Sequence, residues 1–257
     1  MSDWNPAQYL KFSNERTQPS IDLAGRIMID EVSSILDVGC GPGNSTQVLR
    51  VRWPDAETTG LDNSRKMIEE AQRAYPDGAW VVGDASELAG PPVYDVVFSN
   101  AVLQWVPNHK SLIPRLFSLV NNKGVLAVQV PANSKSPLHH AVWSASRLPA
   151  WNRLLGPCRR LIHYHTAEFY YDLLRPMAAT IDLWETVYFH VLPGHRELIE
   201  WYKGSGMRPF LERLPDNEAR ATFEAEVLKR CESSYPLRKD RRILFPFKRL
   251  FFIARAA

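Results

Sequence analysis

The chain has 257 residues, 45% hydrophobic and 23% charged, with a formal net charge of +3. This is the balance of an ordinary folded domain, not of a disordered or fibrous chain. No apolar run reaches the roughly 18 residues of a membrane span, and the opening "MSDWNPAQYLKFSNER" is unlike a signal or transit peptide, so a cytoplasmic protein is expected. Cys40, Cys158 and Cys231 are odd in number and far apart, which argues against disulfides and zinc fingers and fits a reducing compartment.

In chain order, Asn5-Pro6 is a good helix start, and a helix over 5–16 places Tyr9, Phe12 and Arg16 on one face, as a lid. "SILDV" reads as a strand, and "NSTQVLRVRW" as a helix ending before Pro54. "ETTGLD" is a second strand. "SRKMIEEAQRAY" is a helix capped by Ser64, with Met67, Ile68, Ala71 and Tyr75 on one face. "AWVVGD" and "YDVVFSN" are the next strands. "HKSLIPRLFSLV" is expected to be helical in its second part, because Pro114 suits a helix start. "GVLAVQV" is a fifth strand entered through Gly124. Residues 136–178 read as mostly helical, "IDLWETVYFHVL" as a strand, 195–232 as helices and "KRLFFIARA" as a last strand.

Strands alternating with helices imply crossover connections and a parallel sheet covered on both faces. The expected architecture is a single domain over 1–257, with a doubly wound α/β core and cap segments at 136–178 and 195–232. Charge is uneven along it. Residues 1–134 hold 11 Lys and Arg against 15 Asp and Glu, and residues 135–257 hold 20 against 13. The basic second part is either a solvated surface or the seat of an anionic ligand. Acidic residues interrupt it and no nucleic-acid motif appears, so nucleic acid is not an expected partner.

The stretch "ILDVGCGPGNST" puts Gly39, Gly41 and Gly43 between a strand and a helix, where backbone can approach a ligand. A phosphate loop needs Lys-Ser/Thr after its last glycine, and Asn44-Ser45 stands there. A dinucleotide fingerprint needs its last glycine one residue later. The spacing Asp37-x-Gly39-x-Gly41-x-Gly43 resembles that of class I S-adenosylmethionine-dependent methyltransferases. Asp62, about twenty residues on, ends the second strand, where a carboxylate can accept two ribose hydroxyls. Asp84 is placed at the end of the third strand to meet the adenine amine, and Asn100 at the end of the fourth to face the sulfonium.

Taken with "SDWNPAQYLKFSNERTQP", "SNAVLQWVPNH", "NKGVLAVQVP", "FYYDLL" and "GMRPFL", the chain resembles the trans-aconitate methyltransferase family from end to end. The resemblance implies a Rossmann-like, mostly parallel seven-stranded sheet with a helical cap. It also implies methyl transfer from S-adenosylmethionine to a carboxylate of trans-aconitate, leaving S-adenosylhomocysteine. Carried over by motif, Asp37, Gly39, Gly41, Gly43, Asp62, Asp84 and Asn100 would hold cofactor. The Asn/Asp-Pro-Pro-aromatic signature of nucleic-acid amino-methyltransferases is absent, since Ala101 follows Asn100. An ionised carboxylate needs no general base, so no catalytic side chain and no metal are expected. A polycarboxylate needs cationic partners, and Arg208 and Arg16 are the candidates, with Tyr9, Phe12, Trp105 and Tyr170 as further substrate contacts. Three alternatives stay open: a class I methyltransferase for a phenol or amine, a non-catalytic cofactor-binding protein and a nicotinamide oxidoreductase.

Overall fold

The structure, a computed structural model, describes residues 13–257, the side chains of residues 13 and 14 excepted. Most of the helix expected over 5–16, with Tyr9 and Phe12, lies outside the described residues. Arg16 falls in α1 (Ser13–Arg26), which carries Pro19 inside it.

The strands and helices of the first part follow the sequence closely. They are β1 (Ser34–Val38), α2 (Asn44–Arg52), β2 (Glu57–Asp62), α3 (Arg65–Ala74), β3 (Ala79–Val82), β4 (Tyr94–Asn100), α4 (His109–Phe117) and β5 (Val120–Pro131). There follow α5 (Pro137–Ala145), α6 (Asn152–Leu155), α7 (Ala167–Leu174), β6 (Thr180–Leu192), α8 (His195–Lys203), α9 (Arg208–Leu211), α10 (Asn217–Cys231) and β7 (Ile243–Arg255).

The strands form one seven-stranded sheet in the order β3-β2-β1-β4-β5-β7-β6. The pairs β1–β2, β1–β4, β2–β3 and β4–β5 are parallel. Lys123 N–H donates to the Ala257 carbonyl and Ala132 N–H to that of Lys248, so β7 runs antiparallel to β5. Ile35, Leu36 and Val38 of β1, Val96 to Phe98 of β4 and Val125 to Val128 of β5 are buried. These near-continuous apolar runs are what strands covered on both faces require. Strand order reverses at β1 and β4, and the crevice beyond their carboxyl ends is where open α/β sheets take ligands.

Four expectations need correction. β3 stops at Val82, so Asp84 lies in the turn after it and not at its end. α4 starts at His109 and takes Pro114 into its interior. The carbonyl that loses its donor belongs to Lys110, an exposed residue. β5 begins at Val120, before Gly124, with an irregular register against Tyr94 and Val96 and with Lys123 at φ 63°. A side chain at Gly124 would lie 2.8 Å from the Asp95 carbonyl oxygen, so the strand needs glycine there. Finally, β7 starts five residues before the expected Lys248.

The chain divides into two compact units. The larger holds residues 3–131, 165–186 and 250–257, and the smaller holds 132–164 and 187–249. In the smaller unit, Phe223, Val227 and Cys231 form the buried face of α10, as their spacing predicts. Phe210 stacks on Phe223, and Trp151 meets it edge-on. Tyr202 is buried there with its hydroxyl 3.1 Å from His139 Nδ1. Burial, with the neighbouring charge of His140, pushes His139 down to about 4, so its imidazole is neutral at physiological pH.

Candidate active site

The glycine loop is hooked onto the end of β2. The N–H groups of Gly39 and Cys40 both donate to the Leu61 carbonyl, at 2.6 and 3.0 Å. Gly41 N–H donates to Asp62 Oδ2 at 2.9 Å, and Ser64 N–H to Asp62 Oδ1 at 2.8 Å. Ser64 in turn caps α3 by accepting from Met67 N–H. Asp62 is therefore oriented by backbone on both sides before any ligand arrives.

The three glycines serve different ends. All have positive φ. A side chain at Gly39 would lie 2.2 Å from Val102, and one at Gly43 would lie 2.8 Å from Trp80 and 2.9 Å from Tyr75. At those two positions the close approach is to the protein itself. Gly41 alone has no protein atom within 4 Å of where a Cβ would stand, which leaves open ground for a ligand. Trp80 also fills the space over Gly60 and Gly78, and its indole N–H donates to the Tyr75 carbonyl at 3.0 Å.

Asp37 is the next-to-last residue of β1, at 0% exposure. Its Oδ2 accepts from the hydroxyls of Ser45 and Thr46, at 2.6 and 2.7 Å, which ties the strand to the first turn of α2. Its Oδ1 is buried and meets no donor among the described residues. Burial pushes the carboxyl up to about 6; the two hydroxyls pull it down, and the charge of Asp62 adds to the rise. Asn100 ends β4 as expected, 8% exposed, and its Oδ1 is a second buried acceptor without a described partner. Asp84 accepts from Ser86 N–H and Ser86 Oγ, both at 2.7 Å and both on Oδ1, which makes a tight turn.

Beyond Asn100 the chain turns sharply. Ala101 sits at φ 58°, its N–H bonded to the Gln129 carbonyl and its own carbonyl taking Gln104 Nε2 at 2.6 Å. A 3-10 turn, Leu103–Trp105, follows, with Trp105 half-buried. Tyr170, expected as a substrate contact, is instead fully buried, with its hydroxyl 2.9 Å from His109 Nδ1. Arg16 is buried in α1, and Arg208 pairs through Nε with Glu212 at 2.7 Å. Among the described residues no group of three or more His, Cys, Asp or Glu is placed to hold a metal ion.

Sequence reading missed Ser45, Thr46, Val102, Trp80 and His109. The two hydroxyls carried a signal, since a strand-end carboxylate often needs donors from the next helix turn. Val102 and Trp80 carried none, because their roles depend on glycines brought near by the fold.

Asp37 and Asp62 thus put two carboxylates at the glycine loop, close enough for the charge of one to act on the other. Such a lining suits a cationic ligand rich in N–H and O–H groups.

A family model described as "Methyltransferase domain" matches residues 9–176. A trans-aconitate 2-methyltransferase of Methylobacterium nodulans is 42% identical over 256 residues, with 99% of each chain covered. One of Escherichia coli is 41% identical over 255 residues, again with 99% of each covered. The chain belongs to the trans-aconitate 2-methyltransferase family. Two solved structures share the fold of this chain at low identity. YcgJ of Bacillus subtilis gives a TM-score of 0.60 at 14% identity, over 93% of this chain and 98% of its own. Phosphoethanolamine N-methyltransferase 2 of Haemonchus contortus, solved with phosphomonomethylethanolamine and S-adenosylhomocysteine, gives 0.58 at 15%, over 93% of this chain and 52% of its own.

Proposed function

We propose that the protein transfers a methyl group from S-adenosylmethionine to one carboxylate of trans-aconitate, giving a monomethyl ester. The observation that supports this most is the identity of about 41% along nearly the whole chain with relatives of that name. The acceptor lining agrees with it. Asp37 Oδ1 and Asn100 Oδ1, buried and without described partners, fit the cationic amino-acid end of the donor. Asp62 and Asp84 fit the ribose hydroxyls and the adenine amine.

Bound S-adenosylmethionine supplies a methyl on a positively charged sulfur. Transfer of that methyl to a carboxylate oxygen would leave the neutral thioether S-adenosylhomocysteine and would require no proton to move. An acid of ordinary pKa is ionised near neutrality, so no side chain need act as base. The task of the protein is to position two reactants and exclude water, because charge is lost on the way to the transition state. The glycine loop and Asp62 are held by backbone bonds that need no rearrangement. Arg208 and Arg16 are the proposed partners of the remaining carboxylates, and the three buried cysteines suit the cytoplasm as the place of reaction.

The test is mass spectrometry of trans-aconitate incubated with protein and S-adenosylmethionine. A monomethyl ester is expected. Unchanged acid, with a phenol or amine methylated in its place, would overturn the reading. Arg208→Ala is expected to raise KM for the acid about tenfold or more while leaving S-adenosylhomocysteine affinity within a factor of two. Steady-state kinetics and calorimetry read the two effects separately.

A further inference from the structure

We propose that His109 and Tyr170 are positioning residues, a latch that fixes the turn over 101–105 against the glycine loop. The inference rests on the reading of that loop as the cofactor seat.

The hydrogen positions follow from the partners. His109 Nε2 lies 2.8 Å from the Leu103 carbonyl oxygen, which can only accept, so Nε2 carries the proton. Nδ1 then has a lone pair, and the Tyr170 hydroxyl donates to it at 2.9 Å. Both side chains are buried, at 1% and 0% exposure. The tyrosine ring packs on Phe252 of β7, with centroids 4.8 Å apart, so the latch is anchored in the sheet.

What the latch holds matters for the site. Leu103 follows Val102, the side chain that fills the space left by the missing Cβ of Gly39. Ala101 occupies the left-handed region, which L side chains rarely adopt. Such a turn persists only where its surroundings over-determine it. Here Gln129 holds the Ala101 N–H, Gln104 holds its carbonyl, and His109 holds the carbonyl two residues on. Asn100, with its buried acceptor, is the residue immediately before. Loosening the latch frees Val102 to leave Gly39 and lets Asn100 drift.

The experiment compares wild type with Tyr170→Phe, His109→Leu and His109→Gln. It measures S-adenosylhomocysteine binding by calorimetry, kcat and KM for trans-aconitate, and Tm. Tyr170→Phe removes the hydroxyl that meets His109 Nδ1, and His109→Leu removes the bonds to both Tyr170 and the Leu103 carbonyl. They are expected to weaken S-adenosylhomocysteine binding roughly fivefold to a hundredfold and to lower kcat, with KM for the acid little changed. His109→Gln keeps an N–H for Leu103 and an acceptor for Tyr170, so it should recover most of the affinity lost in His109→Leu. Lower Tm with wild-type affinity and kcat would mean that the pair only packs the core, and would overturn the latch alone. Wild-type protein that bound no S-adenosylhomocysteine would overturn the cofactor seat and the latch with it. Should His109→Leu fail to fold, Tyr170→Phe, which keeps the ring, decides the matter.

Discussion

At the scale of single residues, Asp37 combines complete burial with a charge. Its folded pKa, about 6, lies above the ordinary 3.8. A carboxyl shifted upward adds stability that is fully present below the unfolded value and is lost as pH rises through the folded one. The ligand-free protein should therefore gain up to about 3 kcal/mol from this group between pH 7.5 and pH 4. His139, held down at about 4, pulls the other way in both proteins, losing stability as pH falls below its unfolded value, so in urea melts at pH 5 and pH 7.5 Asp37→Asn should lose more stability on acidification than wild type. Asp95 does not confuse the comparison. Burial works against its charge, but donors from Asn121, Ser33 and Ser34 outweigh it and hold the carboxyl at about 2, below this window. The loop glycines make a second contrast. Gly41→Ala costs about 1–2 kcal/mol for its positive φ, yet meets no protein atom, so it should fold and lose S-adenosylhomocysteine affinity at least tenfold. Gly39→Ala drives a methyl into Val102 and should lower Tm by much more. Thermal melts and calorimetry on the two variants separate room for a ligand from room for the protein.

At the scale of elements, α3 shows how local chemistry joins stability to the site. Ser64 caps the helix through its hydroxyl and holds Asp62 through its N–H. Ser64→Ala removes the first bond and keeps the second, so unfolding free energy should fall by about 1 kcal/mol in a urea titration. This element was legible in the sequence, cap and buried face alike, because both depend on residues within a few positions of each other. So were β1 and β4 through their apolar runs, and β2 through the acidic residue that ends it. Where legibility failed, distant geometry had decided. Pro114 looked like a helix start, but the proline costs one bond to an exposed carbonyl and the packing of Leu112, Ile113 and Leu116 carries the helix through it. Asp84 left its strand because Ser86 closes a turn on it. Tyr170 looked like a donor for substrate, and only the fold brings it to His109, 61 positions away.

At the scale of the whole molecule, the three thiols report on the fold. Cys40, Cys158 and Cys231 are free and buried, and burial pushes all three upward, Cys231 to about 11. The thiolate is the reactive form, so a disulfide reagent at neutral pH should react slowly with native protein and at once with all three in denaturant. Fast reaction of one thiol in native protein would reveal local opening near it. The order of the sheet has a consequence of another kind. β7 stands between β5 and β6 although it is the last strand of the chain. A nascent polypeptide leaving the ribosome exhibits β5 with a bare flank until residues beyond 243 have cleared the tunnel, and β6 waits beside it with no seat to take. The parallel strands can assemble early, but translation delivers the keystone late, and crowding on a polysome is where that delay would be felt.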